Sequence, residues 1–309
     1  MENYQNMSIN TSHFYLLGFP VYQPWHWILF GIIMIMYFLS LVGNIIIIFM
    51  VYTNSHLSSP MYFFIANLSL IEILYTSVTI PKLLDVLIAK NKYISFDGCI
   101  AQFYFFFCLG STECFLLAVM SYDRFTAICK PLLYNIIMNW PVCHYLVVAC
   151  WLGGFLPNLI ATFIIANLQF CGQDIQHFFC DLFPLLQLSC YDTSKLQTLN
   201  FFTASAIVLL SFFLTLWTYI RIIMAILKIP SMTGKFKAFS TCASHLTVVV
   251  ISFGSVGFVY LRPKVNADFD LNKALSVFYI VVTPVINPLI YSFRNKDVKM
   301  VLKKIICRQ

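Results

Sequence analysis

The sequence predicts an all-α membrane protein, a seven-transmembrane helix bundle with its amino terminus extracellular and a short amphipathic cytoplasmic helix at its carboxyl end. Three observations carry this. Of 309 residues, 60% are hydrophobic and only 10% charged, whereas soluble domains carry about a quarter charged residues. Seven apolar stretches recur, each meeting the roughly 20 residues that a helix needs to cross hydrocarbon. Lys and Arg gather on alternate breaks between them, as expected when basic flanks stay on the cytoplasmic side.

The first stretch, Trp27 to Val51, follows a polar segment with no Lys or Arg and no small-residue cleavage site behind a short apolar core. No cleaved signal peptide is therefore expected. The others run Met61 to Ile88, Cys99 to Ile128, Val142 to Ala166, Leu199 to Leu227, Ala238 to Leu261 and Leu271 to Phe293. Pro60, Pro131, Pro141, Pro230 and Pro263 fall in the polar breaks, where helices stop or start. The chain thus divides into an extracellular segment, 1–26, a seven-span domain, 27–293, and a cytoplasmic tail, 294–309.

With the amino terminus outside, the inner segments hold Arg124, Lys130, Arg221, Lys228, Lys235, Lys237 and the six basic residues from Arg294 to Arg308. The outer segments hold Lys90, Lys92, Lys195, Arg262, Lys264 and Lys273, and most acids. The net charge of +7 is thereby a property of the inner membrane face, and no nucleic-acid partner is expected. Glycosylation sequons at Asn6 and Asn10 lie in the outer segment, whereas Asn67-Leu68-Ser69 matches inside a helix and is dismissed. Of eleven cysteines, Cys99, Cys171, Cys180 and Cys190 fall on the oxidising side, with three pairings open. The other seven default to reduced thiols packing as small hydrophobes.

Polar residues inside the membrane point to function. Asp123-Arg124 closes the third stretch at the inner face, where a charged couple faces the bundle, pairs or acts; the competing reading is a helix-end pair reaching for water. Glu72 and Glu113 lie deeper, with apolar neighbours on both sides. They predict either a shared cation site, a candidate sodium site with oxygen donors from Asn44, Ser69 and Asn287, or two protonated carboxyls hydrogen-bonded to neighbours. No other cofactor or metal is expected.

Pro284 and Pro288 stand one turn apart and each removes a backbone hydrogen bond. They predict a kinked seventh helix with Asn287 and Tyr291 inward, a moving part or a static bend. In the third stretch Phe103, Phe106, Phe107, Gly110, Ser111 and Cys114 share one helical face. The stripe reads as core packing or as the wall of an apolar pocket in which the small residues leave space. Beyond Arg294, Val298, Val301, Leu302, Ile305 and Ile306 recur at helical spacing among basic residues. This predicts an amphipathic helix on the inner leaflet, a contact with membrane lipid, with Cys307 a weak candidate for acylation.

Pro60-Met61-Tyr62-Phe63-Phe64, Ser121-Tyr122-Asp123-Arg124-Phe125 with Ala127-Ile128-Cys129, Lys237-Ala238-Phe239-Ser240-Thr241-Cys242 with Ser244-His245-Leu246, and Pro288 to Asn295 are specific in combination. On these motifs nearly the whole chain resembles the odorant receptors, a branch of the rhodopsin-like (class A) G-protein-coupled receptors. It departs from the family pattern at Ser121, Phe125 and Phe253.

The resemblance implies disulfides Cys99–Cys180 and Cys171–Cys190, and a ligand pocket in the outer half of the bundle. Carried onto this chain, the pocket is Phe103, Phe106, Phe107, Gly110, Ser111, Cys114, Asn158, Thr203, Ile207, Phe253, Val256, Tyr260 and Ile280. It also implies coupling to a stimulatory olfactory-type heterotrimeric G protein, hence cyclic AMP. Asp123, Arg124, Tyr219, Lys237, His245, Asn287, Pro288 and Tyr291 are the expected activation residues. Receptors of this class commonly hold the third-helix arginine with an acid on the inner sixth helix, yet no Asp or Glu occurs between Asp192 and Asp268. Arg124 is therefore expected to be restrained by Asp123 or by neutral hydrogen bonds.

Amine receptors of the class place an acid where Phe106 stands here, and burying an ammonium without a counter-charge is costly. The expected ligand is a small, neutral, mainly apolar volatile, held weakly and with overlapping chain lengths, since a buried methylene contributes only about 0.8 kcal/mol. An opsin is excluded because Val281, not a lysine, occupies the middle of the seventh stretch. The rival readings are a non-olfactory class A receptor for a small apolar ligand and an ion-coupled transporter using Glu72 and Glu113. The transporter lacks the repeated halves such proteins show, and no nucleophile–base or metal-ligand set points to an enzyme.

Overall fold

Helices follow all seven apolar stretches in a computed structural model that describes residues 12–19, 23–88, 92–260, 273, 276–294, 298 and 300. They are α1 (Gln23–Thr53), α2 (Pro60–Ile88), α3 (Phe96–Cys129), α4 (Trp140–Ala166), α5 (Ser194–Leu227), α6 (Met232–Tyr260) and α7 (Thr283–Arg294). The breaks are set by local chemistry. Ser95 caps α3 by accepting from the Gly98 N–H at 3.2 Å, and Asn139 caps α4 by accepting from Val142, with Pro141 in the first turn. Ser231 accepts from the Gly234 N–H at 3.1 Å, which lets α6 begin at Met232, six residues before the apolar stretch at Ala238.

Burial ranks the helices. In α2 and α3, 61% of the apolar window is buried against protein, and in α1, α4 and α5 only 22%. The first pair is the centre of the bundle and the others are lipid-facing walls. α1 shows how: Ile33, Ser40, Asn44, Ile47 and Met50 form a narrow buried stripe at spacings of seven, four, three and three, while Trp27, Ile35, Phe38 and Phe49 face outward. The α3–α4 contact depends on Gly154, where an added Cβ meets the Thr112 hydroxyl at 2.1 Å.

The all-α bundle forms as expected, with two added details. The seventh stretch carries a π-helical turn, Phe278–Val282, ahead of α7. A small sheet lies over the outer end. Strand β1 (His13–Leu16) pairs antiparallel with β2 (Tyr93–Ser95) and parallel with β3 (Asp174–Ile175), seating Phe14 and Leu16 in a small outer core. The bridges Cys99–Cys180 and Cys171–Cys190 form as the family pattern implies. Asn6, Asn10, Cys307, the side chains of Lys237 and Tyr260, and the amphipathic tail apart from Val298 and Met300 lie outside the described residues.

Proline chemistry organises α7. Pro288 has no N–H for the Pro284 carbonyl, so that oxygen lacks its helical partner. Ser40 Oγ and Asn44 Nδ2 of α1 donate to it instead, at 3.2 and 3.4 Å. Gly43 makes the approach possible, since a Cβ there stands 3.1 Å from the Pro288 ring.

Candidate functional site

An apolar cleft opens in the outer half of the bundle, with about 450 Å³ of empty space including its mouth. Phe106, Phe107, Gly110, Ser111 and Cys114 of α3 form one wall, and Ala204, Ile207 and Val208 of α5, Val256 of α6 and Tyr279 of the π turn form the rest. The third-helix stripe is therefore pocket wall and core at once. Phe106 is buried, stacked on Tyr75 at 4.9 Å and tilted against Phe179 of the second outer loop at 4.6 Å. Phe103 sits higher, in the core beneath the sheet, while Phe253 and Ile280 are buried beside the cleft without lining it.

The polar groups are few. Asn158 Nδ2 donates to Ser111 Oγ at 3.2 Å and to the Gly154 carbonyl at 2.7 Å, so two expected ligand partners already satisfy each other. Thr203 donates to the Leu199 carbonyl and does not line the cleft; Ala204 takes its place. Gly110 was expected to leave space, but the Tyr279 hydroxyl fills much of it, 3.2 Å from where a Cβ would stand. Tyr279 was not legible as a wall residue because the π turn re-aims it. Among the described residues, none that lines the cleft carries a formal charge.

Beneath the cleft lie the two carboxyls, each with its own partner. Asn287 Nδ2 donates to Glu72 Oε1 at 2.5 Å, and Ser252 Oγ donates to Glu113 Oε1 at 3.1 Å. Asn44 Oδ1 and Asn287 Oδ1 are buried with no partner among the described residues. Two orphaned amide oxygens beside a carboxyl fit a small hard cation, which takes oxygen ligands.

At the inner end Asp123 is fully buried and Arg124 bonds to it through Nε, at 2.9 Å, and Nη2. Tyr134, in a one-turn helix of the second inner loop, donates to the other Asp123 oxygen at 2.8 Å. Burial, with the Asp123 carboxylate beside it, holds the Tyr134 phenol above its ordinary range, so it stays a donor at physiological pH. Also at the inner end, the Tyr219 hydroxyl and His245 Nδ1 bond at 2.7 Å, joining α5 to α6. Tyr291 is buried nearby, its hydroxyl unpartnered among the described residues. On the loop beside this array Leu132 is 95% exposed and Ile136 69%, an apolar knob at the cytoplasmic face that charge and periodicity did not single out.

An apolar outer cleft thus lies above a buried Asp-Arg pair, and comparison with known proteins identifies the family. The olfactory receptor family model matches residues 33–309. The chain belongs to the olfactory receptor family. It is 46% identical to human olfactory receptor 6A2 over 97% of this chain and 93% of that protein. Rat olfactory receptor 226 is likewise 46% identical, over 97% and 93%, and mouse olfactory receptor 6B9 is 44% identical over 99% and 96%. The protein is thus an odorant-sensing G-protein-coupled receptor, a multi-pass membrane protein of a non-enzymatic class.

Proposed function

We propose that the receptor binds small, neutral, mainly apolar volatiles in the outer cleft and signals through a stimulatory olfactory-type G protein that raises cyclic AMP. The observation that carries the ligand class is the charge-free lining, with Phe106 facing in where an amine-binding site needs an acid. Ser111, Asn158 and Tyr279 supply the few hydrogen-bonding groups, and the walls select by shape. Activation is a population shift to a packing that frees Arg124 and opens the inner end between α5 and α6. The basic inner segments and the exposed Leu132 and Ile136 suit a partner that is acidic and apolar in turn. A panel of neutral volatiles, read by cyclic AMP in cells expressing the receptor, tests this; activation through a different second messenger would overturn the coupling, and a silent panel the ligand class.

A sodium ion at Glu72, with Asn44 and Asn287 as neutral ligands, is proposed as a second element, supported by their orphaned oxygens. Replacing external sodium by an organic cation is expected to shift agonist potency in the wild type and not in Glu72→Gln. Equal potency in both media for the wild type removes the ion.

A further inference from the structure

We propose that the outer cleft is filled from the bilayer, through a gap between α4 and α5, and not from the extracellular water. This rests on the cleft being the odorant site and adds the route to it. Over the described residues the roof is shut: Phe178 and Phe179 are fully buried, and Phe179 packs on Phe106, which lines the cleft. The loop that carries them is fixed by the Cys99–Cys180 bridge and by the Cys180 N–H donating to Gln102 Oε1 at 3.0 Å, with β1 and β3 laid across it.

The walls are unequal. Val256 and Tyr279, on the α6–α7 side, are 7% and 5% exposed, while on the α3–α5 side Phe106, Cys114 and Val208 are buried and Phe107, Ser111, Ala204 and Ile207 are partly open. α4 and α5 each pack along α3, but among the described residues they make no comparable contact with each other. Both helices also carry lipid-facing side chains near the cleft: Ile160 on α4, two residues from Asn158, and Phe202 on α5, two residues from Ala204, are each 65% exposed. The open side of the cleft therefore meets hydrocarbon. The Ser111–Asn158 pair stands at its threshold, where an entering hydroxyl or carbonyl can exchange with it.

The chemistry of the expected ligand fits such a door. A chain of five methylenes concentrates in the bilayer about a thousandfold over water, so the membrane is the larger reservoir. A hydrophilic ligand gains nothing from this route.

The test uses full-length receptor in membranes and two photoactivated diazirine probes, one tethered to a phospholipid acyl chain and one charged and water-soluble. Adducts are located by peptide mass spectrometry. The lipid-borne probe is expected to label Ser111 and Ala204 as well as Ile160 and Phe202, and Ala204→Trp, which plugs the gap, to lose the Ser111 adduct. The charged probe is expected to label Tyr93 on the outer sheet and spare the cleft. The route is wrong if the charged probe labels Ser111 as readily as Tyr93, or if the lipid-borne probe stops at Ile160 and Phe202. Both readouts are independent of any odorant response, so a failed panel and a failed door are told apart.

Discussion

The outer and inner halves of this bundle are held by different kinds of interaction. Outside, two disulfides, a three-stranded sheet and interlocked phenylalanines fix the loops over the cleft. Inside, a small apolar cluster of Phe125, Tyr219, Ile222, Ile226 and Cys242 is supplemented by single hydrogen bonds: Tyr134 to Asp123, Tyr219 to His245, Asn287 to Glu72. Several inner polar atoms, Thr215 Oγ1, Asn287 Oδ1 and the Tyr291 hydroxyl among them, are buried with no partner among the described residues. A buried polar group left unpaired costs about 1–3 kcal/mol, which a second inner packing that pairs these atoms would recover. Selection by shape needs a rigid wall, whereas switching needs two packings close in energy. The division of labour follows from the composition of each half.

The largest effect is expected at the inner end of the bundle. Arg124→Ala is expected to abolish cyclic AMP signalling with surface expression intact, as judged by an amino-terminal epitope tag; retained signalling removes the pair from the coupling machinery. At the outer pole, Cys99→Ser opens a bridge spanning 81 residues, worth about 4.5 kcal/mol on chain-entropy grounds. Surface receptor is expected to fall severalfold, and normal levels mean the sheet alone holds the roof. Within the cleft, Gly110→Val drives a branched side chain against the Tyr279 hydroxyl, and agonist potency is expected to fall at least tenfold, or about 1.4 kcal/mol. Tyr134→Phe is the mildest change. It removes one hydrogen bond from Asp123, about 1 kcal/mol, and basal cyclic AMP is expected to rise about fivefold. An unchanged baseline shows that Asp123 and Arg124 need no help from the loop.

Much of the inner half was legible in the sequence because charge in a membrane is conspicuous. The missing sixth-helix acid, read from the gap between Asp192 and Asp268, already implied a local restraint on Arg124, and Asp123 provides one. Tyr134 escaped notice because its reach to Asp123 depends on the fold of a loop. The outer half was less readable. Helical periodicity found Phe106, Phe107, Gly110, Ser111 and Cys114, which do line the cleft, but it could not see Tyr279, whose direction is set by the π turn. Strand β1 was invisible for a related reason: His13–Leu16 is four residues long and acquires its partners from residues about 80 and 160 positions away, and short strands are stabilised by such cross-strand neighbours more than by their own propensity.

The most direct test of the account is a matched comparison of agonists by cyclic AMP dose–response: straight-chain alcohols and aldehydes against primary amines of the same length. A charge-free cleft predicts that the neutral members activate the receptor and that each amine is at least tenfold weaker than its neutral match. Primary amines emerging as the most potent agonists would contradict it.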